Sequence, residues 1–396
     1  MTEKIQISLL KTAGNMNIGC IRLNKPKALN ALDLDMVKAM QAQLDDWQDD
    51  DEIAAVFIDG EGEKAFCAGG DIVSMYQSMK NEQTTNPNKL PDFMAQFFAL
   101  EYRLDYAIHA FPKPVICWGT GIIMGGGLGV FAGGSHKVIT ETARVAMPEI
   151  TIGLFPDVGG SYFLNKMPKG VGKFLGLTAS SINAADCIEI GLADYFLLNE
   201  DKTKFLSELA ALTIVSPATI SATINQIHNN HNAASVWVDL KGNLSSIIPA
   251  LEGLAPLASV LEVTTFLQNL LESNPQSKML IKAIDNLRKG SPLTAKLVIE
   301  QLARSETLSL SECLQMELSM AYQCSVGGEF QEGVRALLID KDKQPKWHYT
   351  EESEIPDKLI EAHFNYFTHQ QADNSADKLI TNPLQSLVND FGEAYA

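Results

Sequence analysis

A chain of 396 residues with 46% hydrophobic and 20% charged content can bury a large core, which excludes disorder along its whole length. Its formal net charge of −17 sets up a field that repels polyanions, so general binding of nucleic acid or of an anionic membrane surface is excluded, although local lysines could still hold one phosphorylated small molecule. No apolar run approaches the roughly 20 residues that a membrane helix needs.

In chain order, Ile5 to Leu10 and Asn17 to Leu23 predict two short strands joined at Gly14-Asn15, and the apolar spacing over Leu34 to Trp47 predicts an amphipathic helix. Ala54 to Asp59 returns to strand, and Lys64 to Ile72 runs from strand into loop. Phe93 to Ala110 is a second helix ending before Pro112, and Pro114 to Trp118 is the next strand. This order of strand, glycine turn and helix recurs to about residue 190 without a fixed period, which predicts an α/β layered core rather than a repeat array. From Lys202 onward the pattern is mainly helical, with polar breaks at Asn229 to Asn232 and Ser273 to Ser277. The expected organisation is a core over 1–200, a helical region over 201–350 and an acidic, loosely packed extension over 351–396.

Two glycine-rich stretches, Phe66-Cys67-Ala68-Gly69-Gly70-Asp71 and Met124-Gly125-Gly126-Gly127-Leu128-Gly129, could act together. Glycine has no Cβ and reaches unusual backbone angles, so such runs beside a helix start let peptide N–H groups approach an oxyanion closely. Met147-Pro148-Glu149 and Phe155-Pro156-Asp157-Val158-Gly159-Gly160 follow, and they place Glu149 eight positions before Asp157, far enough for a turn to bring both carboxylates to one pocket. Taken alone, Asp157 could equally cap a helix starting near Val158, and Glu149 could be a solvated turn carboxylate.

Other chemistries lack their residues. The six cysteines, Cys20, Cys67, Cys117, Cys187, Cys313 and Cys324, form no CxxC pair, so buried reduced thiols are expected and the cytoplasm is the simplest compartment. The opening Met1-Thr2-Glu3-Lys4 leads into short alternation rather than a signal core or an arginine-rich presequence. His109, His136, His228, His231, His348, His363 and His369 make no HExxH or Cys/His metal pattern, so no metal site is expected. Cys67 has no base at a recognisable spacing and reads as a small buried residue. GxSxG is absent, which counts against a serine hydrolase, and so is GxGxxG, which removes the main support for a Rossmann site.

The run Asn24-Lys25-Pro26-Lys27-Ala28-Leu29-Asn30-Ala31-Leu32, together with FCAGGD, MGGGLG and MPE, resembles the crotonase superfamily of acyl-CoA enzymes. Glu101-Tyr102, FPDVGGSYFL and the late Glu332 to Asp342 segment are most similar to its 3-hydroxyisobutyryl-CoA hydrolases, and the likeness extends from about residue 15 to Trp347. It implies a spiral of ββα turns followed by a helical carboxyl-terminal region, with coenzyme A lying across the core. It also implies an oxyanion hole from the N–H groups of Gly70 and Gly126, and CoA contacts along Lys27, Ala28 and Leu29 and along Ala68, Gly70, Asp71 and Ile72.

For the reaction, the resemblance implies hydrolysis of a short branched β-hydroxyacyl-CoA in valine breakdown. Glu149 would either attack the acyl carbon to give a mixed anhydride or activate a water, and Asp157 and Glu101 would position water or the substrate hydroxyl. The bland alternative for Glu101 is a solvated acidic face shared with Asp105, one helical turn on. Hydratases that use two glutamates carry the first three residues after the middle glycine, where this chain has Gly129, so hydrolysis is favoured over hydration. No cofactor is needed, because coenzyme A arrives as part of the substrate. Related folds form trimers or hexamers, so a homo-oligomer is open to this chain unless its carboxyl-terminal region covers that surface.

Overall fold

Each turn of the chain contributes one strand to a large sheet and one to a small sheet. In the computed structural model, which describes residues 4–86, 89–230, 233–367 and 381–394, the large sheet contains β1 (Ile5–Lys11), β2 (Asn17–Leu23), β3 (Ile53–Gly60), β5 (Val115–Gly119), β7 (His136–Thr140) and β9 (Tyr195–Leu197), in that spatial order. β1 pairs antiparallel with β2, and all later pairings are parallel. The small sheet is β4 (Ala65–Cys67), β6 (Ile122–Met124) and β8 (Arg144–Ala146), also parallel. Successive β3/β4, β5/β6 and β7/β8 pairs therefore wind a ββα spiral.

The large sheet is buried on both faces, as a parallel sheet requires. Ala55, Phe57, Ile116, Trp118 and Val138 pack on one side against Phe205, Leu209, Ile220 and Ile224, from helices Lys202–Ala210 and Pro217–Asn230. Val56, Ile58, Val115 and Cys117 join the main core on the other side. That core also receives the helices α1 (Leu34–Gln48), α2 (Ile72–Thr85), α3 (Asp92–His109), α4 (Gly126–Ala132), α5 (Gly160–Lys166) and α6 (Val171–Thr178).

The first two strands, α1, β3, α3 and β5 fall within a residue or two of their expected bounds. Helix α2 was not expected: only Met75, Tyr76 and Met79 are buried on it, too few to print a clear 3.6-residue period on the sequence. β6 and β8 are three residues each and fell below notice.

From Lys202 to Phe364 the described chain is helical apart from connecting loops. Among the elements that press on the active half of the core are the helices Pro292–Arg304 and Leu310–Gly327 and the short helix Glu329–Val334. The described part of the extension is not loosely packed. Ile360, Leu384 and Leu387 are buried, Tyr106 donates to the Gly392 carbonyl at 2.8 Å, and Arg103 pairs with Asp390 at 2.6 Å while lying over the Phe391 ring. Scattered apolar residues within an acidic composition were enough to dock it on the helix Leu310–Gly327 and on the outer side of α3. His231, His369, Asn232 and the final Tyr395-Ala396 lie outside the described residues. No helix among the described residues is long and apolar enough to cross a membrane.

Candidate active site

The two glycine runs meet. Gly69 (φ +106°) and Gly125 (φ +49°) hold backbone conformations that side chains disfavour, and the amides that follow them, those of Gly70 and Gly126, lie close to each other. Gly70 N lies 3.5 Å from where a Gly126 Cβ would stand, and Gly126 N lies 3.8 Å from where a Gly69 Cβ would stand. Gly126 opens α4, so its N–H is one of the helix-start donors without an intrahelical acceptor. Gly70 is fixed by the register beside it, where Leu32 N donates to Gly69 O at 2.8 Å and Asp71 N to Leu32 O at 2.7 Å. Neither amide donates to a protein acceptor among the described residues. Phe97 and Met75 side-chain atoms stand 3.2 Å from a Gly70 Cβ position and form an apolar wall.

Carboxylates surround this point. Glu149 begins a 3₁₀ turn, Glu149–Ile152, and its Oε1 lies 3.1 Å from a Gly125 Cβ position. The Glu101 carboxylate occupies the place where a Gly126 Cβ would sit, so α3 and α4 can approach only because position 126 is glycine. Asp157 accepts from Tyr102 Oη at 2.8 Å. Glu101, Glu149 and Asp157 are each 4% exposed or less, which overturns the solvated readings of the two glutamates. Burial raises all three above the usual carboxylate range. For Glu101 and Glu149 the charge of Asp157 adds to burial, and both are held well up. Asp157 is pushed up only to about 6, because the Tyr102 hydroxyl favours its ionised form. The Asp157 side chain does not cap α5: Gly159 precedes that helix, and its amides go elsewhere.

Those amides go to Glu317, which sequence reasoning missed. Its carboxylate accepts Gly159 N and Ser161 N at 2.8 Å each, from a fully buried position on helix Leu310–Gly327. Gln301 Nε2 donates to Pro156 O at 2.6 Å from the preceding helix. Between these clamps Val158 takes φ +55°, a left-handed conformation that is costly for a β-branched residue. The signal for Glu317 was a charge at a core position of an otherwise apolar helical stripe, Leu310, Cys313, Leu314, Leu318 and Ala321.

The strip expected to face CoA comes from two segments that lie side by side. Pro26–Ala28 is a 3₁₀ turn, exposed at Lys27 and Ala28, followed by Leu29 at φ +52°. Ala68 N donates to Leu29 O at 3.0 Å, and Asp71 caps α2 just before Ile72 through Ser74 N. Lys27 makes no ion pair among the described residues, whereas Lys25 is engaged with Asp33 at 2.9 Å. Cys67 is sealed in the core with its thiol pushed up to about 12, which suits packing rather than nucleophilic attack. Among the described residues no three His, Cys, Asp or Glu side chains are grouped to hold a metal ion.

The sequence model of the enoyl-CoA hydratase/isomerase family matches residues 18–364. The chain belongs to this family. Relatives include the mitochondrial 3-hydroxyisobutyryl-CoA hydrolases of Xenopus tropicalis, 36% identical over 347 residues (87% of this chain, 86% of the relative), and of Homo sapiens, 35% identical over 346 residues (87% and 86%). Among solved structures, an enoyl-CoA hydratase from Rhodobacter sphaeroides 2.4.1 superposes with a TM-score of 0.76 at 30% identity, covering 91% of this chain and 97% of its own. A carnitinyl-CoA dehydratase from Mycobacterium thermoresistibile does so at 0.77 and 28%, covering 96% and 99%. The crotonase spiral is therefore the fold of this chain.

One departure within the family fold bears on chemistry. A Cβ at Gly129 would stand 2.7 Å from Val158 Cβ and 2.9 Å from Asp105 Oδ1. A glutamate at 129 has no room here, and the volume is taken by Asp105, which is 1% exposed, so the alternative of a solvated face shared by Glu101 and Asp105 does not hold.

Proposed function

We propose that this chain hydrolyses 3-hydroxyisobutyryl-CoA to 3-hydroxyisobutyrate and CoA, a step of valine breakdown. The observation that carries the reading is the convergence of the Gly70 and Gly126 amides beside Glu149, with no space for a second acid–base glutamate at position 129. Two fixed N–H donors stabilise the charge that grows on a thioester oxygen without solvent rearrangement, and one such donor is worth about 2.7–4 kcal/mol of barrier. Glu149 supplies the nucleophile or the base. Asp157, ionised above about pH 6, orients water with Tyr102 behind it. Glu101, whose carboxyl is raised by burial and then by the charge of Asp157, accepts from the β-hydroxyl of the acyl group and, when protonated, can also donate to it.

Lys27 to Leu29 and Ala68 to Ile72 are our candidates for the CoA contacts, and CoA enters only as part of the substrate. The names of the relatives place them in mitochondria. The six unbridged cysteines fit any reducing compartment, and the cytoplasm is our reading for this chain. Fractionation of host cells tests it.

A thiol-release assay over a panel of acyl-CoA thioesters tests the function. 3-Hydroxyisobutyryl-CoA should be cleaved faster than acetyl- or crotonyl-CoA, and Glu149→Gln should lower kcat by at least ~100-fold. Crotonyl-CoA turnover without thiol release would favour a hydratase instead. Single turnover in ¹⁸O-water separates the two routes, because only the anhydride leaves label in the Glu149 carboxylate.

A further inference from the structure

The side of α3 that packs on α4 carries ionisable side chains one turn apart: Glu101, Asp105 and His109. Each meets a glycine of α4 or its end where a Cβ would stand. Glu101 lies at Gly126, Asp105 Oδ1 lies 2.9 Å from the Gly129 position, and His109 Cδ2 lies 3.1 Å from the Gly133 position. Side chains four residues apart on a helix are neighbours, with Cβ atoms about 5–6 Å apart. The row therefore steps, one helical turn at a time, from the oxyanion site to the carboxyl-terminal end of α3.

Both oxygens of Asp105 are buried without a hydrogen-bond partner, as are Glu101 Oε1, His109 Nε2 and, at the head of the row, Glu149 Oε2. Buried polar atoms are nearly always bonded, and exceptions mark catalytic groups or bound solvent. Among the described residues, every such atom that belongs to a titratable side chain falls on this row or at its head; the other three are amide oxygens of Gln41, Gln301 and Gln331. Where the row ends, His109 also lines a cavity of about 640 Å³ bounded by Lys113, Lys137, Lys166, Phe163 and Met167.

Thioester hydrolysis at neutral pH consumes water and yields thiol, carboxylate and one proton. The C–S bond breaks, a C–O bond forms, one proton of the water ends on sulfur, and the other must leave the site. Glu149 has to start each turnover unprotonated to act as nucleophile or base, so a proton it takes up has to be discharged before the next turnover. We propose that Asp105 and His109 carry this proton from the Glu149 and Glu101 carboxyls along the α3–α4 seam to the lysine-lined cavity, with single waters bridging the one-turn gaps.

The resting states suit the task. Burial, then the charges of Glu101 on the same helix, Asp157 on the loop before α5 and Glu317 on the helix Leu310–Gly327, raise Asp105 and so favour its neutral acid form, which can release one proton as it takes another. Burial, and then Lys137 on β7, hold His109 neutral with its value lowered to about 4, so it does not trap the proton. A neutral imidazole accepts at one ring nitrogen while releasing from the other.

The inference rests on the hydrolase reading but not on the acyl group, so it is tested with whichever thioester the unmodified chain cleaves fastest. Asp105→Asn and His109→Ala, made in the full chain, should each lower steady-state kcat about tenfold, less than loss of direct acid–base catalysis costs. KM should stay unchanged, the first turnover should keep its parent rate so that a burst appears, and the solvent deuterium isotope effect on kcat should rise. Added imidazole should restore His109→Ala. Because the residues act in series, the double variant should be no slower than the worse single one. Parent-like kcat and isotope effect in both variants, or an equal loss in the first and later turnovers without imidazole rescue, overturns the relay. If the unmodified chain releases thiol from no thioester, the hydrolase reading fails with it, a distinct result.

Discussion

The two halves of the site are held in place by different physics. The oxyanion half consists of main-chain amides set by glycine geometry and by the register of Leu32 against Gly70, and nothing in it titrates. The carboxylate half consists of three acidic side chains crowded into a buried pocket and kept there by Tyr102, Gln301 and Glu317 from three separate helices. The first half should be insensitive to pH and intolerant of any added atom; the second should respond to pH and degrade by degrees.

The largest contrast comes from the oxyanion half. Gly126→Ala places a methyl group on the Glu101 carboxylate, so it should cost one amide donor's worth, about 2.7–4 kcal/mol or a 10²- to 10³-fold fall in kcat at every pH. Steady-state kinetics from pH 5 to 9 check this, and a loss confined to one end of that range would mean that the two halves are not separable.

Next is the clamp. Glu317→Gln leaves one of two buried N–H groups facing an NH₂, which should destabilise the fold by about 1–3 kcal/mol. The sign of its pH dependence follows from burial, which pushes Glu317 from its usual 4.5 up to about 8. A carboxyl raised in the folded state contributes stability that is complete below 4.5 and lost as pH rises through about 8. The Tm gap between parent and variant should therefore be widest near pH 4.5 and narrow toward pH 8. A gap that widens with pH would contradict the assignment.

The smallest effect is expected for Tyr102→Phe. Removing a hydroxyl that favours ionised Asp157 should move the acid limb of the kcat profile upward from about 6, with a loss of about 1 kcal/mol or less above pH 8. An acid limb that stays in place would remove Asp157 from the ionisation that controls rate.

The same contrast governs what the sequence could reveal. The glycine runs, Glu149 and Asp157 are local words whose spacing survives reading without a fold, and the spiral brings them together as expected. Glu317 stands 158 positions beyond Gly159, and only its intrusion into an apolar stripe betrays it. The face carrying Glu101 and Asp105 stayed open to a solvated reading because a pair of acids one turn apart normally faces water; glycines at 126 and 129 instead let α4 close over them. Helix α2 and the docked extension were illegible for a related reason: each buries only a few apolar residues, and its position is set by what it packs on.

The most direct test of the central claim reads the thioester carbonyl itself. Infrared difference spectra of ¹³C-labelled 3-hydroxyisobutyryl-CoA bound to Glu149→Gln should show the C=O stretch shifted to lower frequency than in water, and the shift should be lost when Gly126→Ala is added. A carbonyl band at its solution frequency in the Glu149→Gln complex would mean that the Gly70 and Gly126 amides do not grip that oxygen.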